Sequence, residues 1–316
     1  NLHCGYSDMD EPTLAIGPSC LRTVASETPM AAGVTWDHRT QIWGTDDFNA
    51  AGNGEAPGPA FRESMLVDLP TAEPIVMVTS GPLMSAMTEA GDVFIWGEMW
   101  KGFDPDDIIE VPFPVSHPLP APARILGEVA QCMLTIDDVV YCFRNNNNGK
   151  LGLDDPEVFA LEPMLIDLQN VAHLSESAEH ACVVVENGEV WCWGSNPFGA
   201  MGQPWPEVEW HPAPLRVEAL PPVDRVFASL FGSCALERDG RAWCWTRETF
   251  FAGMPAFPPI AWRPELRFVD IGVGSSFACG LVEDGRVFCE GLAVPGCSPA
   301  KSCFVDVLSA LGDPNP

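Results

Sequence analysis

Histidines are few in this sequence, and two short segments are candidate metal sites. Trp36 and His38 lie two residues apart, where an imidazole and an indole suit a soft metal such as copper. The alternative interpretation is a hairpin turn that has lost its glycine. Asp104, Asp106 and Asp107 offer oxygen ligands for calcium, although their spacing is not that of an EF-hand. The alternative for this acidic run is solvated surface charge.

No set of residues in the sequence forms a recognisable catalytic motif. The six histidines are scattered, and the chain contains no G-x-S-x-G, H-E-x-x-H or P-loop pattern. His180 recurs at a fixed position of a repeated segment, which favours a structural hydrogen-bonding role. We therefore expect a protein that is not an enzyme, with calcium or copper as the only candidate cofactors.

Large aromatic residues are concentrated in segments rich in proline and glycine, which are typical of loops. Prolines beside Trp205 and Trp210 argue against a central strand there. Rigid aromatic side chains on loops often anchor a binding partner. The predicted binding residues are Trp100, Phe103, Trp205, Trp210, Phe250 and Phe251. Packing between structural elements is the alternative, and the short connections at 175–180 and 229–234, which we assign to the opposite face, are a second possible surface.

Eight of the 12 cysteines form four pairs with the same ten-residue spacing. The pairs are Cys132 with Cys142, Cys182 with Cys192, Cys234 with Cys244, and Cys279 with Cys289. Three of these pairs flank an Asn-Gly or Asp-Gly turn between β-forming residues, which predicts hairpins with directly opposed cysteines. Opposed residues are close enough for a disulfide, whereas zinc sites need shorter spacings. We predict four cross-hairpin disulfides.

The other four cysteines are Cys4, Cys20, Cys297 and Cys303, which allow three connectivities. Cys4 with Cys20 and Cys297 with Cys303 are the favoured pairs. Abundant disulfides predict an oxidising environment, so we expect a secreted, periplasmic or cell-surface protein. The first residue, Asn1, suits a processed mature form or a trimmed chain.

Charge and hydropathy exclude several classes of protein. The 316 residues include 44 acidic and 16 basic side chains, for a net charge of −28. Clustered cations are needed to neutralise phosphates, so no nucleic-acid partner is expected. The hydrophobic content of 47% is sufficient for a folded core. The sequence contains no run of 18 apolar residues, so no membrane span is predicted.

A longer repeat surrounds the predicted hairpins. Its second strand ends in Trp-Gly or a variant of it, and successive copies are 45 to 53 residues apart. The anchor residues are Trp43, Trp96, Phe143, Trp193, Trp245 and Glu290. A short apolar strand precedes each hairpin and a further strand follows it, so each copy predicts four antiparallel strands. Such sheets must stack to bury both faces, which indicates a β-propeller.

The chain ends suggest how the ring closes. The segment around Cys4 aligns with the third strand of a repeat, and the segment beginning at Cys303 aligns with a first strand. We therefore predict one all-β domain over 1–316, a seven-bladed propeller of four-stranded antiparallel blades. Residues 1–19 and 298–316 form its closing blade, which removes open sheet edges. A six-bladed ring is the alternative.

The segment 180–202, HACVVVENGEVWCWGSNPFGAMG, resembles the repeat of the regulator of chromosome condensation family. Matching positions are His180, Asn187, Gly188, Trp193, Gly194, Asn196, Gly199 and Gly202, with further matches at Trp43, Gly44, Gly52, Gly149 and Gly152. The resemblance covers essentially the whole chain and implies a seven-bladed propeller. The added cysteine pairs are similar to those of secreted bacterial members.

The resemblance also implies a class of function. Members of the family bind a small GTPase and nucleosomes, or inhibit a β-lactamase outside bacterial cells. The charge of −28 argues against nucleosome binding here. We therefore predict a secreted, non-enzymatic binding module that presents propeller loops to a protein or another macromolecule. The alternative is a calcium- or copper-dependent binding protein, or a hydrolase, with carboxylates at the central mouth of the ring.

Overall fold

The computed structural model describes residues 21–27, 30–46, 52, 58–101, 108–129, 131–246, 258–274, 277–291 and 303–306. The chain divides into two compact units. The first unit runs to Asp137 and includes Phe159–Pro163, and the second contains Asp138–Val158 and the chain from Met164 onward. The described regular structure consists of β-strands and one short 3-10 turn, Pro197–Gly199. No helix in these residues is long and apolar enough to cross a bilayer.

The described strands form six antiparallel sheets of four strands each. The first unit carries two complete sheets. The first contains β1 (Leu21–Glu27), β2 (Met30–Thr35), β3 (Thr40–Asp46) and β4 (Gly58–Val67). The second contains β5 (Ile75–Thr79), β6 (Leu83–Thr88), β7 (Val93–Trp100) and β8 (Ile108–His117).

The third sheet follows along the chain, and the second unit carries the last three. The third sheet contains β9 (Ala123–Leu126), β10 (Cys132–Thr135), β11 (Val140–Asn145) and β12 (Phe159–Leu165). The fourth contains β13 (Val171–Glu176), β14 (His180–Val185), β15 (Val190–Ser195) and β16 (Trp210–Arg216). The fifth contains β17 (Arg225–Ser229), β18 (Gly232–Leu236), β19 (Ala242–Thr246) and β20 (Ile260–Trp262). The sixth contains β21 (Phe268–Val273), β22 (Phe277–Val282), β23 (Val287–Gly291) and β24 (Cys303–Asp306).

The predicted closing blade is wrong. The strand at Cys303 pairs with β23, with Cys289 opposite Val305, and so it is the fourth strand of the sixth sheet. The sequence alignment had treated it as a first strand, because a short apolar strand suits either place. The described residues therefore form six blades rather than seven. Residues 1–19, the other half of the predicted blade, lie outside the described residues.

The hairpin register and the disulfides agree with the prediction from the cysteine spacing. Cys182 lies opposite Cys192, Cys234 opposite Cys244, and Cys279 opposite Cys289. Each of these three pairs forms a disulfide, and Cys132 and Cys142 are also disulfide-bonded. The first two sheets have Ala32 opposite Ile42 and Ser85 opposite Ile95 at these positions. A sheet of this type therefore forms without the disulfide.

The hydrophobic core lies between consecutive sheets. In the first unit, Trp96 packs with residues of the first and second sheets. In the second unit, Trp245 of β19 packs against β14, β15 and the loop after β15. Its Nε1 donates to the Ala200 carbonyl at 2.8 Å, and Trp193 Nε1 donates to the Lys150 carbonyl at 3.0 Å. Each of these two tryptophans thus joins its sheet to the loop of the preceding one.

A second connection between consecutive sheets is made by the backbone alone. In the first five hairpins, the carbonyl of the residue at the left-handed position accepts a hydrogen bond from a backbone N–H in, or just before, the first strand of the next sheet. These bonds, Ile75 N to His38 O, Ala123 N to Gly91 O, Val171 N to Asp138 O, Val223 N to Gly188 O and Phe268 N to Gly240 O, measure 2.8 to 3.2 Å. Every acceptor has a positive φ, from +59° to +87°. We call these five bonds the junction hydrogen bonds.

The outer strands are poor templates for pairing with another sheet. Prolines lie within β4, β8, β12 and β16, at Pro59, Pro112, Pro163 and Pro212. A proline has no N–H to donate, so an edge strand that contains it resists the addition of another strand. Binding through β-strand addition is therefore disfavoured at these four edges.

Candidate functional site

Two buried asparagines shape the loops that follow β11 and β15. Asn196 Nδ2 donates to the carbonyls of Gln203 and Val208 at 3.2 and 2.6 Å, and its Oδ1 accepts the Met201 N–H at 2.8 Å. Asn146 makes the equivalent three bonds in the earlier loop, at 2.7 to 2.8 Å. Because both side chains are fully buried, each loop is held in a defined form by one amide.

Three aromatic rings come together on this scaffold. The ring of Phe198 lies 5.2 Å from that of Trp205 and 6.0 Å from that of Phe231, between centroids. Trp205 is 46% exposed, and the two phenylalanines are half-buried. We call Phe198, Trp205 and Phe231 the aromatic cluster. It presents apolar area to solvent on loops whose form is fixed, which suits the binding of a partner.

The aromatic cluster joins two kinds of connection that the sequence analysis had assigned to opposite faces. Phe198 and Trp205 belong to the loop between β15 and β16, whereas Phe231 belongs to the turn between β17 and β18. That assignment is wrong, because an antiparallel chain reverses direction at each strand. First-to-second and third-to-fourth connections therefore emerge at the same end of a sheet. We call this the loop end, and the other, with the β2–β3-type turns, the hairpin end.

Trp210, the other predicted tryptophan of this loop, has a structural contact. A Cβ atom added to Gly149 would lie 2.9 Å from Cε3 of Trp210, so the indole packs directly against the glycine backbone. Gly149 has a φ of +75°, which disfavours any other residue there. Trp210 is nevertheless 41% exposed. It therefore packs between two loops while leaving part of its ring accessible.

A set of buried polar groups connects the elements that carry the aromatic cluster. His180 Nε2 lies 2.8 Å from Ser233 Oγ, and that hydroxyl donates to the Ala200 carbonyl at 3.0 Å. The other ring nitrogen, Nδ1, lies 3.2 Å from Ser177 Oγ. Lys150, which is also buried, donates to the Ser177 carbonyl at 2.8 Å. These bonds connect the β11–β12 loop, the fourth sheet and the fifth sheet.

The His180–Ser233 pair has the spacing of a base and a nucleophile, but its surroundings favour a structural role. His180 and Ser233 are 0% and 1% exposed, so a substrate has no access to them. Burial, and secondarily the Lys150 ammonium, lower the pKa of His180 to about 3. A histidine of this kind is a weak base, and the hydroxyl proton of Ser233 is directed to a carbonyl.

The loop end of the second unit is acidic. Its described connections span 146–158, 177–179, 196–209, 230–231, 258–259 and 274. They contain six carboxylates at exposed or half-buried positions: Asp154, Asp155, Glu157, Glu179, Glu207 and Glu209. The only basic residue in these connections is Lys150, which is buried beside Glu176 with Nζ 3.8 Å from Oε2. The aromatic cluster therefore lies in a negative electrostatic environment.

The hairpin end of the second unit, unlike its loop end, is rich in arginine. Seven of the eight described arginines of the second unit lie in hairpins or at strand ends there: Arg216, Arg225, Arg238, Arg241, Arg263, Arg267 and Arg286. The eighth, Arg144, is half-buried near the end of β11. Most of the seven are matched by carboxylates, as in the Arg238–Asp224 and Arg225–Asp270 pairs at 3.0 and 2.7 Å. Arginine thus offsets part of the acidic charge at the hairpin end, whereas the described connections at the loop end have no exposed cation that does so.

The predicted copper ligands belong to the first unit, whereas the aromatic cluster belongs to the second. Trp36 is 57% exposed, and His38 occupies the left-handed position of its hairpin with a φ of +63°. His38 Nδ1 lies 3.1 Å from the Ile75 carbonyl. In the second and fourth sheets, Gly91 and Gly188 occupy the position that His38 occupies here. The arrangement therefore agrees with the alternative interpretation, a hairpin turn that has lost its glycine. Copper binding stays a prediction.

Several predicted site residues lie outside the described residues: Phe103, Asp104, Asp106, Asp107, Phe250, Phe251, Cys4, Cys20 and Cys297. The backbones of Trp100 and Cys303 are described, in β7 and β24. Within the described ranges, no group of three or more histidine, cysteine or acidic side chains is arranged to hold a metal ion. Calcium at the acidic run and pairing of the last four cysteines stay predictions.

Sequence reasoning identified Trp205 but missed Phe198 and Phe231. Phe198 was hidden because Asn-Pro-Phe-Gly read as part of the repeat consensus. Phe231 lies in a connection that had been named as a possible surface, but on the wrong face. Phe198 and Phe231 could have been placed at the same end of the sheets by counting the strand reversals along one repeat, because antiparallel strands alternate in direction.

Comparisons with known proteins agree with the repeat and with the fold. Residues 173–200 match the family described as "Regulator of chromosome condensation (RCC1) repeat". The RCC1 domain-containing protein RUG3, mitochondrial, of Arabidopsis thaliana is 26% identical over 236 residues, which cover 65% of this chain and 52% of that protein. Protein RCC1 of Candida albicans is 23% identical over 296 residues, covering 81% and 64%. The chain thus spans less than two thirds of the length of these relatives.

Solved structures give the same fold. Yeast RCC1 (Prp20), solved bound to Kap60, has a TM-score of 0.78 at 17% identity, covering 89% of this chain and 73% of that chain. Another structure of Prp20p, from Saccharomyces cerevisiae, was described together with its binding properties to Gsp1p and histones. Human WBSCR16 has a TM-score of 0.70 at 14% identity, covering 84% and 74%. Residues 173–200 thus match a regulator of chromosome condensation (RCC1) repeat, and the chain is similar to RCC1 proteins, with a β-propeller fold in which the described residues form six four-stranded blades.

Proposed function

We propose that this protein is a protein-binding module whose partner docks on the aromatic cluster at the loop end of the second unit. The observation that carries the proposal is the contact of Phe198 with both Trp205 and Phe231 at a partly exposed surface. Clustered aromatic anchors of this kind supply much of the energy of protein interfaces. The yeast relative, solved in complex with Kap60, supports a protein rather than a small molecule as the partner.

The scaffold beneath the cluster supports the same proposal. Asn196 fixes the loop that carries two of the rings, and Trp245 joins that loop to the fifth sheet, which carries the third ring. The rings are therefore positioned before a partner arrives. A preorganised surface loses less conformational entropy on binding, so more of its contact energy appears as affinity.

The disulfides support an oxidising environment for this module. Eight cysteines are disulfide-bonded, and such bonds persist mainly in secreted, periplasmic or cell-surface proteins. We therefore propose that the partner is met outside the reducing cytosol. Liquid chromatography–mass spectrometry of the protein from its native source, with free thiols alkylated before reduction, tests this point. Free thiols at Cys182 and Cys192 would contradict it.

Peptide display against the intact protein tests the binding surface. Peptides would be selected on the wild type and counter-selected on the Trp205→Ala, Phe231→Ala double variant, and affinities then measured by isothermal titration calorimetry. We expect the double variant to weaken binding by at least about 2 kcal/mol. Trp36→Ala is a matched control, since Trp36 is 57% exposed but lies in the first unit. Equal binding by all three proteins would contradict the proposed surface.

A further inference from the structure

The charge around the aromatic cluster restricts the chemistry of its partner. Glu207 and Glu209 are exposed and lie in the same loop as Trp205, and Glu179 is half-buried in the neighbouring turn. Asp154, Asp155 and Glu157 extend the negative surface along the β11–β12 loop. The buried Lys150 does not offset these groups, because it is already paired with Glu176. A partner that covers the cluster must therefore approach several carboxylates.

An acidic or strictly apolar partner is disfavoured at this surface. Like charges across an interface are repulsive, and carboxylates that are covered by an apolar surface lose hydration without compensation. A cationic partner gains on both counts, since its charges replace the water around the carboxylates. Guanidinium and ammonium groups also bind the faces of aromatic rings, and indole is the strongest acceptor of this kind.

We infer that the partner of the aromatic cluster is a cationic, arginine- or lysine-containing polypeptide segment, whose apolar residues contact Phe198, Trp205 and Phe231 while its cations face Glu207 and Glu209. This inference rests on the proposed function, because it takes the aromatic cluster as the binding surface. It adds the charge of the partner and the carboxylates that recognise it.

The distribution of arginines in the second unit gives the partner a direction of approach. The described arginines with exposed side chains lie at the hairpin end and offset part of its acidic charge, so a cationic segment is attracted more strongly at the loop end. Such a field orients a charged partner before contact and raises its association rate. The net charge of −28 alone attracts a cation to every face, and the experiment must separate the two effects.

The test uses the full chain and three synthetic peptides of equal length. One consists of Gly-Arg-Leu repeats, the second has citrulline in place of each arginine, and the third has glutamate. Citrulline keeps the shape of arginine without its charge. Affinities would be measured by fluorescence anisotropy at about 0.03 M and about 0.3 M salt, where screening differs strongly. We expect the arginine peptide to bind at least about tenfold more tightly than the citrulline peptide at low salt, and the glutamate peptide not to bind.

Matched charge variants separate local recognition from net charge. The Glu207→Gln, Glu209→Gln variant and the Glu186→Gln, Glu283→Gln variant each remove two exposed carboxylates, the former at the loop end and the latter at the hairpin end. We expect the first pair to weaken the arginine peptide about three- to tenfold at low salt and to reduce its salt dependence, and the second pair to change it less than about twofold. Equal effects of the two pairs would overturn the inference, because net charge would then explain the attraction.

The aromatic variant distinguishes failure of this inference from failure of the proposed function. Trp205→Ala should weaken the arginine and citrulline peptides by a similar factor, since it removes apolar contact from both. If the two peptides bind wild type equally and both lose affinity in Trp205→Ala, the surface is correct and the cationic partner is wrong. If none of the three peptides binds wild type, or if binding is indifferent to both Trp205 and the Glu207–Glu209 pair, the inference is also overturned.

Discussion

Arg263 holds Glu290 through two charged hydrogen bonds, from Nε at 2.9 Å and from Nη2 at 2.7 Å. Glu290 occupies the position that Trp193 and Trp245 hold in the fourth and fifth sheets. Trp262 Nε1 also donates to it, at 2.9 Å, and the ring of Trp262 stacks on Phe268. The sixth sheet therefore replaces an apolar contact with a charged one at the same place in the repeat.

The first prediction concerns this ion pair. Glu290→Ala should lower the free energy of unfolding by about 2 to 4 kcal/mol, because it leaves a partly buried guanidinium and an indole N–H without their acceptor. Urea denaturation followed by tryptophan fluorescence measures the change. Asp284→Ala is the control, since its pair with Arg286 is exposed and its loss should cost much less. Equal losses of unfolding free energy in the two variants would show that the buried pair stabilises the fold no more than the exposed pair does.

The second prediction is a pH dependence that arises from His180. Its pKa is lowered to about 3 by burial, so the unfolded chain takes up a proton near its ordinary value while the folded chain does not. Stability is therefore retained above about pH 6.5 and falls as the pH drops, by up to about 1.4 kcal/mol per pH unit. Urea denaturation between about pH 7 and pH 4 measures this slope.

A His180→Gln variant provides the control for that slope. Glutamine does not titrate, and so the variant should be less stable at neutral pH but should lose stability less steeply on acidification. Carboxylates contribute equally to both proteins. His117, whose pKa is lowered by burial to about 4, also remains in both. Parallel pH profiles for the two proteins would show that His180 does not couple to folding.

The third prediction concerns the hairpin disulfides. The Cys182→Ala, Cys192→Ala variant should lose about 2 to 3 kcal/mol, as expected for a loop of about ten residues. It should still fold, because Ala32 with Ile42 and Ser85 with Ile95 occupy the same positions in disulfide-free sheets. Circular dichroism and thermal melting measure the result. An unfolded variant would show that the fourth sheet depends on its disulfide in a way the first two do not.

The fourth prediction separates loop shape from stability. Asn196→Ala and Asn146→Ala each remove three hydrogen bonds of a buried side chain, and each should cost about 2 to 3 kcal/mol. Only Asn196 shapes the loop that carries Phe198 and Trp205. Asn196→Ala should therefore weaken binding of the displayed peptides more than Asn146→Ala does, at equal stability. Calorimetric affinities of the two variants test this, and equal losses would argue against a preorganised cluster.

Much of the fold could be predicted from the sequence because hairpin chemistry is local. The ten-residue cysteine spacing determines the opposed residues, and a four-stranded repeat follows from apolar runs on either side. The number of blades could not be predicted in the same way. It depends on whether the strand at Cys303 pairs with β23 or begins another sheet, and a short apolar strand suits both. That choice is made by long-range pairing, which the local pattern does not contain.

The candidate site was less predictable for the same reason. Trp205 stood out by its neighbouring prolines, but the ring that completes the cluster, Phe231, comes from the next sheet. The proximity of Phe198 and Phe231 is a property of stacked sheets rather than of either segment. Likewise, Glu290 looked like a degenerate Trp-Gly position, because its compensating partner Arg263 lies 27 residues earlier, in another blade.

The junction hydrogen bonds bear on how much such a sequence can diverge. Their donors are backbone N–H groups and their acceptors backbone carbonyls, so amino-acid replacement at either end leaves the atoms in place, proline at the donor excepted. Even the glycine preference is not absolute, since His38 and Asp138 serve as acceptors at positive φ. The junction hydrogen bonds can therefore keep neighbouring blades aligned even when most of the amino acids have changed. This tolerance is consistent with a fold shared at 17% identity, and it leaves the loops open to selection for new partners.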